Sequence, residues 1–191
     1  MQALTQLDAI GVPLPAADID TDQILPARFM HARRIDYGRY FFHDLRGAGT
    51  FALDRAAYAG AQVLVTGPNF GCGSSREQAV HTLADFGIRA LVGTSFGDIF
   101  FTNCLKNGVL PVRADAAFVE RLLAALDAQP GARVRIDLPA QCVLAPDGTR
   151  ASFEIDAFQK EALVAGLDEI DVTLRLGASI DAYERAHGIG R

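Results

Sequence analysis

Two rhythms of apolar and polar positions alternate along this chain, and the switches between them outline a fold. Between residues 61 and 112, three short runs (AQVLVTG, IRALVGT and VLPV) are apolar almost without interruption. Runs of this kind predict strands buried on both faces, as in a parallel sheet. Two segments with helical spacing separate them. In SSREQAVHTLADFG, residues Ala79, Val80, Leu83, Ala84 and Phe86 share one face, and Gly87 stops the helix. FGDIFFTNCLKNG predicts a second helix ending at Gly108. Strands and helices in this order and at these lengths predict a right-handed βαβ core with parallel strands.

The flanks are plainer. DAAFVERLLAALDAQPG carries Phe118, Val119, Leu122, Leu123 and Leu126 on one face, with Asp115 placed to cap the helix and Pro130-Gly131 to end it. VRIDL, QCVLA and ASFEI predict three further strands, the last two joined by a turn at Asp147-Gly148. AFQKEALVAGLDEI predicts one helix, and SIDAYERAHG another after a break at Gly177. Residues 11–29 mix Pro, Asp and apolar pairs and predict a strand, a polar turn and a short return strand. Residues 30–50 have no clean period. The expected architecture is a single α/β domain over 1–191, with a parallel βαβ core at 61–112 and added strands.

Composition narrows the function classes. The chain has 191 residues, half of them hydrophobic, enough to bury a core without disulfides or a structural metal. Its net charge of −5 argues against a nucleic-acid partner. No apolar run approaches the roughly 18 residues of a membrane helix, and the acidic start is unlike a signal peptide, so a cytoplasmic protein is expected. Cys72, Cys104 and Cys142 are odd in number and widely spaced, which suits free thiols. With neither C-x-x-C nor H-E-x-x-H, no metal or cluster held by this chain alone is expected. One region departs from the acidic average: Arg28, Arg33, Arg34, Arg39 and Arg46 face only Asp36 and Asp44. The 28–50 segment is therefore a candidate surface for an anion or a partner, and is expected to be mobile.

The chemistry concentrates in Gly67–Glu77, GPNFGCGSSRE, between a strand and a helix. It lacks the lysine of a P-loop, and the third glycine of a dinucleotide fingerprint is replaced by Arg76. Gly71 and Gly73 still allow backbone N–H groups to turn inward, and the following helix N-terminus adds partial positive charge. Arg76 brings a planar fork suited to a carboxylate or phosphate. Ser74-x-x-Glu77 and Ser75-x-x-Gln78 both fit a capping box, so one serine is expected to cap the helix. If Ser75 does, Ser74 is left facing the loop. A helix terminus contributes at most about 2 kcal/mol, roughly 1.5 pKa units, far too little to ionise a serine at neutral pH. That deficit points to a partner supplying further positive charge. Cys72, without a histidine base in reach, reads as a small loop residue rather than a nucleophile.

Three ordered motifs, DIDTDQILPARF, GPNFGCGSSREQA and SFGDIFFTNCLKNGVLPV, together with the tail IDAFQKEALVAGLDEIDVTL, resemble the small subunits of 3-isopropylmalate dehydratase. These are separate-chain versions of the swivelling β/β/α domain of aconitase-type hydro-lyases. The resemblance covers nearly the whole chain. It implies a heteromeric lyase of leucine biosynthesis in which a large subunit carries a [4Fe–4S] cluster and this chain closes over a hydroxy diacid substrate. It further implies that Ser74 takes the proton alpha to a carboxylate and that Arg76 binds a substrate carboxylate. In the same pattern Gly73 and Ser75 belong with Arg76 to the substrate-binding set, Ser75 also supporting the loop, and Asp20, Thr21 and Asp22 form a supporting turn beside it. A further substrate arginine falls on Arg46 or Arg28. Two departures stand out. Gln78-Ala79-Val80-His81 replaces the family's usual His-Ala-Trp, and FMHARRIDYGRYFF replaces the loop near the substrate's variable group. Methylmalate, dimethylmalate and homoaconitate enzymes share the three motifs. A non-catalytic dicarboxylate-binding module is the alternative from another class.

Overall fold

The computed structural model describes residues 1–31, 34–47 and 49–189. Of the cationic positions above, Arg33 and the side chain of Arg34 lie outside that description. A single seven-stranded sheet runs through the molecule in the order β4-β3-β2-β1-β5-β6-β7. Strands β1 (Gln6–Leu14), β2 (Val63–Thr66), β3 (Ala90–Gly93) and β4 (Leu110–Arg113) are mutually parallel. On the other side of β1, strands β5 (Arg133–Asp137), β6 (Cys142–Leu144) and β7 (Arg150–Ser152) add on antiparallel.

The burial pattern explains why the parallel half was the easier to read. Every residue of β2 and β3 is buried, because helices cover both faces. Helices α2 (Glu77–Phe86) and α3 (Asp98–Lys106) complete the two crossovers on one face, where Val80, Leu83, Phe100 and Cys104 meet Leu64 and Leu91. Helix α4 (Ala116–Ala128) lies across the other face, packing Phe118, Leu122 and Leu126 on Val63, Val65, Ala90 and Val92. It comes so close to β1 at Gly11 that a Cβ there would stand 2.7 Å from Val134 and 2.9 Å from Leu126.

Three expectations change. Strand β1 starts at Gln6, five residues before the sequence suggested. Its first half alternates exposed and buried in the antiparallel wing, while its second half is buried throughout, so no single period spans it. No return strand follows. Instead Asp20 caps a short helix, α1 (Thr21–Ile24), by accepting the Gln23 backbone N–H at 2.8 Å, and this local capping displaces the extended form. The predicted helix at 157–170 is two: α5 (Ala157–Ala165) ends at Gly166 in the left-handed region. After it, α6 (Glu169–Arg175) restarts behind a capping box between Asp168 and Asp171. A last helix, α7 (Gly177–His187), follows at once. None of the helices among the described residues is long and apolar enough to cross a membrane.

The 28–50 segment is tied to the core at Tyr37, Phe41 and Phe42, all buried. Residues Arg34–Tyr40 form 3-10 turns lying along α2, and the Tyr37 ring stacks on His81 with centroids 6.3 Å apart.

Candidate active site

At the C-terminal ends of β1, β2 and β3 three loops converge, the position at which open α/β sheets generally bind their ligands. The loop after β2 is Gly67–Arg76. It is laced to the loop after β1 through the Gly71 N–H donating to the Ile19 carbonyl at 2.7 Å and the Thr21 N–H donating to the Cys72 carbonyl at 3.1 Å. Asn69 Nδ2 donates to Asp18 Oδ1 at 2.7 Å. The loop after β3 joins through the Gly97 N–H, donated to the Phe70 carbonyl at 3.0 Å, and through Ser95 Oγ, which accepts the Asn69 N–H at 2.8 Å.

Two glycines make this close approach sterically feasible. Gly71 adopts φ +74°, and a Cβ on it would fall inside the Phe100 ring. Gly97 lies so close beneath that a Cβ would stand 2.6 Å from the Gly71 carbonyl oxygen. Side chains at either position would push the two loops apart.

The expected capping does not occur. The N-cap of α2 is Arg76, and no side chain caps it, so neither Ser74 nor Ser75 plays that part. The physical reason is the lacing just described: with Cys72 bound to Thr21, the chain stays extended through Arg76 (φ −64°, ψ 110°) and turns helical only at Glu77. The Thr21 hydroxyl donates to the backbone carbonyl of Ser74 at 3.2 Å, gripping the main chain and not the side chain. Gly73, Ser74 and Ser75 are consequently exposed at the rim.

Arg76 is held from the other side. Its Nη2 donates to Asp22 Oδ2 at 2.9 Å, and Nη1 to Asp22 Oδ1, a two-point pair. The hydrogen bond and charge of Arg76 hold the Asp22 carboxyl below the ordinary carboxylate value, with the Ala27 backbone N–H helping. The Arg76 side chain is 17% exposed and that of Asp22 54%. An end-on pair of this kind uses one N–H of each Nη and leaves the Nε edge of the guanidinium for another carboxylate.

Thus Asp20, Asp22, Gly73, Ser74, Ser75 and Arg76 share one surface, and Thr21 is buried against the Ser74 carbonyl. The other two arginines are elsewhere. Arg28 sits one residue beyond the Ala27 amide that reaches Asp22, but its guanidinium pairs with Asp44 (Nη1 to Oδ2, 2.9 Å). Arg46 stands 3.6 Å from Asp54 and lies over the Phe86 ring, 5.1 Å from its centroid. Phe86 is the last residue of α2, whose ten residues span about 15 Å, so Arg46 and Arg76 flank opposite ends of that helix.

Electrostatically the surface is unbalanced. Three aspartates follow β1: Asp22 pairs with Arg76, Asp20 lies near the same guanidinium, and Asp18 accepts a hydrogen bond from Asn69. Burial, with Asp18 and Asp20 nearby, pushes the Cys72 thiol up, which disfavours the reactive thiolate. Cys104 is fully buried within α3, and Cys142 lies on β6. Among the described residues no set of three or more His, Cys, Asp or Glu side chains converges as metal ligands, so the cysteines here do not suit an iron–sulfur cluster. The pairing of Asp22 with Arg76 was not read from the sequence; the recurrence of Asp at 18, 20 and 22 opposite a lone loop arginine was the available signal.

Residues 1–117 match the family model described as the aconitase C-terminal domain, and residues 120–157 match that described as LeuD_N. A 3-isopropylmalate dehydratase small subunit from Rhodopseudomonas palustris is 46% identical, covering 96% of this chain and 95% of the relative. One from Rhodospirillum rubrum is 44% identical, with 99% and 95% covered. A crystal structure of a 3-isopropylmalate dehydratase (LeuD) from Methanocaldococcus jannaschii superposes with a TM-score of 0.71 at 24% identity, over 93% of this chain and 99% of that one, and so shares the fold. By sequence over nearly its full length and by fold, this chain belongs to the aconitase C-terminal domain family, alongside the 3-isopropylmalate dehydratase small subunits.

Proposed function

We propose that this chain is the small subunit of a 3-isopropylmalate dehydratase, a hydro-lyase of leucine biosynthesis that interconverts 2- and 3-isopropylmalate by dehydration and rehydration. The observation that carries this reading is an exposed serine, Ser74, two residues from a guanidinium that Asp22 orients. Ser74 stands at the rim, Arg76 is aligned by Asp22, and three aspartates outweigh that one cation. A doubly negative substrate meets net repulsion on the isolated chain. The same imbalance disfavours a stand-alone dicarboxylate-binding module.

The missing positive charge belongs to a large subunit. When bound there, a [4Fe–4S] cluster would supply Lewis-acid chemistry at the substrate hydroxyl; no ligand set for it converges among the described residues of this chain. The chain's own part is narrower. The Nε edge of Arg76 receives a substrate carboxylate, and the exposed Ser74 Oγ, its own proton released to solvent under the positive charge that the large subunit brings, takes the proton alpha to a carboxylate and returns to the neutral hydroxyl. Gly73 and Ser75 hold the loop open, and Thr21 fixes the Ser74 main chain. Closure of the two subunits excludes water and strengthens each of these interactions. Of the remaining arginines Arg28 is the better placed to add a second contact, once a substrate carboxylate replaces Asp44.

The test is ultraviolet absorbance of the unsaturated diacid formed from 3-isopropylmalate, followed for this chain, for a purified large subunit and for their anaerobic mixture. Activity in the mixture alone is expected. Silence in the mixture, with the subunits associated and the cluster intact, overturns isopropylmalate as substrate and moves the search to methylmalate, dimethylmalate or homoaconitate.

A further inference from the structure

The last two helices expose an apolar stripe that the site chemistry does not use. Of the nine large apolar side chains exposed among the described residues, six fall between residues 170 and 189, and α7 has no buried residue at all. An eleven-residue helix is marginal in water unless an amphipathic face packs against something. Leu176, Ile180 and Tyr183 follow helical spacing, and Ile170 and Leu174 repeat it on α6. Beside them a groove of about 180 Å³ runs between α5 and α6, lined by Phe158, Ala162, Leu167, Val172 and Leu176.

Charge and size select the occupant. Residues 168–189 carry Asp168, Glu169, Asp171, Asp181 and Glu184 against Arg175 and Arg185, within a chain that is itself acidic. A second copy would bring like charge against like charge. A free-standing interface also takes some 20–30 residues from each partner. One face of two short helices offers about half that number, enough to supplement another contact but not to make a dimer. The position agrees. Lys106, at the far end of α3, pairs with Glu169 at 2.9 Å, whereas the first turn of α3 lies against the glycine loop. The nine residues of α3 separate the two by about 13 Å.

We propose that α6 and α7 form a second docking surface for the large subunit, remote from the catalytic loop, in which the apolar stripe seats in an apolar groove rimmed by Lys and Arg. Resting on the functional reading above, this makes the tail a tether: the catalytic face opens for substrate while the chains stay joined.

The test measures affinity of the full-length chain for purified large subunit by calorimetry, in wild type, in Leu174→Glu/Ile180→Glu and in Asp181→Lys/Glu184→Lys. Leu174, Ile180 and Asp181 are exposed and Glu184 is half-buried on a helix with no buried residue, so circular dichroism and Tm are expected to stay at wild-type values. Each double variant is expected to weaken association at least tenfold. Turnover at saturating small subunit is expected to be unchanged. Unaltered affinity in the first variant, with wild type binding and active, overturns the docking surface and leaves the functional reading intact. A wild-type chain that sediments as a dimer and becomes monomeric in that variant also overturns it, in favour of a second copy. Failure of wild type to bind any large subunit fells the functional reading itself, and the tether with it.

Discussion

Asp22 and Arg76, fifty-four residues apart, form a two-point ion pair across the mouth of the glycine loop. The pair does two opposed things. It orients the guanidinium, and it places a carboxylate where a substrate carboxylate would compete. Exposed pairs are worth about 0–1 kcal/mol, so the competition is weak and the orientation is the larger effect. In the assembled enzyme Asp22→Asn is expected to lower kcat about tenfold, roughly 1.4 kcal/mol of barrier, without raising KM. Steady-state kinetics separates the two parameters; a raised KM with full kcat would mean that Asp22 acts only in binding.

Ser74→Ala removes the exposed hydroxyl and nothing that holds the loop, because Thr21 binds the backbone carbonyl at that position. Turnover is expected to fall by about 10²–10⁴, the usual contribution of a general base, with assembly and substrate affinity retained. Wild-type turnover in this variant would remove Ser74 from the chemistry.

Arg76→Lys keeps the charge opposite Asp22 but replaces a planar fork by a point donor. Losing one charge-assisted hydrogen bond costs about 1.5–3 kcal/mol, so kcat/KM is expected to drop about 10–100-fold. Equal kinetics for the two residues would mean that no carboxylate is gripped at two points.

The two loop glycines separate steric from conformational demands. Gly71→Ala meets both the left-handed backbone and the Phe100 ring, and is expected to destabilise by about 2–4 kcal/mol. Gly73→Ala, at φ +86° with its nearest neighbour 3.5 Å away, meets the backbone penalty alone, about 1–2 kcal/mol. Thermal denaturation ranks them, and a reversed order would contradict the packing of the loop on α3.

In the antiparallel wing, Asp8 accepts Arg133 Nε at 2.6 Å and Arg135 Nε at 2.9 Å. The Arg133 hydrogen bond leads in holding its carboxyl below the ordinary value of 3.8. A depressed native pKa stabilises the fold above the unfolded value and is lost as pH falls through the native one. Asp8→Asn is therefore expected to be less stable at neutral pH and to converge on wild type below pH 3.8. Denaturation midpoints across that range check the sign.

Some features were legible because they are local. An all-buried strand shows as an unbroken apolar run, and a helix lying on a sheet shows as a stripe, so β2, α2, β3, α3, β4 and α4 could be drawn from residue order. Asp115 caps α4 by accepting the N–H of Ala117, two residues on, which spacing reveals. The 28–50 segment showed no period because its burial comes from single aromatics, Tyr37, Phe41 and Phe42, and not from a repeating face.

Residue order alone specifies the parallel core, the glycine loop and the presence of Ser74 and Arg76 within it, since each depends on residues a few positions apart. Tertiary structure alone decided that neither serine caps α2, that Asp22 holds Arg76, and that Arg46 flanks the opposite end of that helix from Arg76. Those outcomes depend on strands β1, β2 and β3 ending side by side, which brings residues 18–22, 67–76 and 95–97 into hydrogen-bonding distance. Contacts between segments so far apart in the chain leave no periodic trace in it.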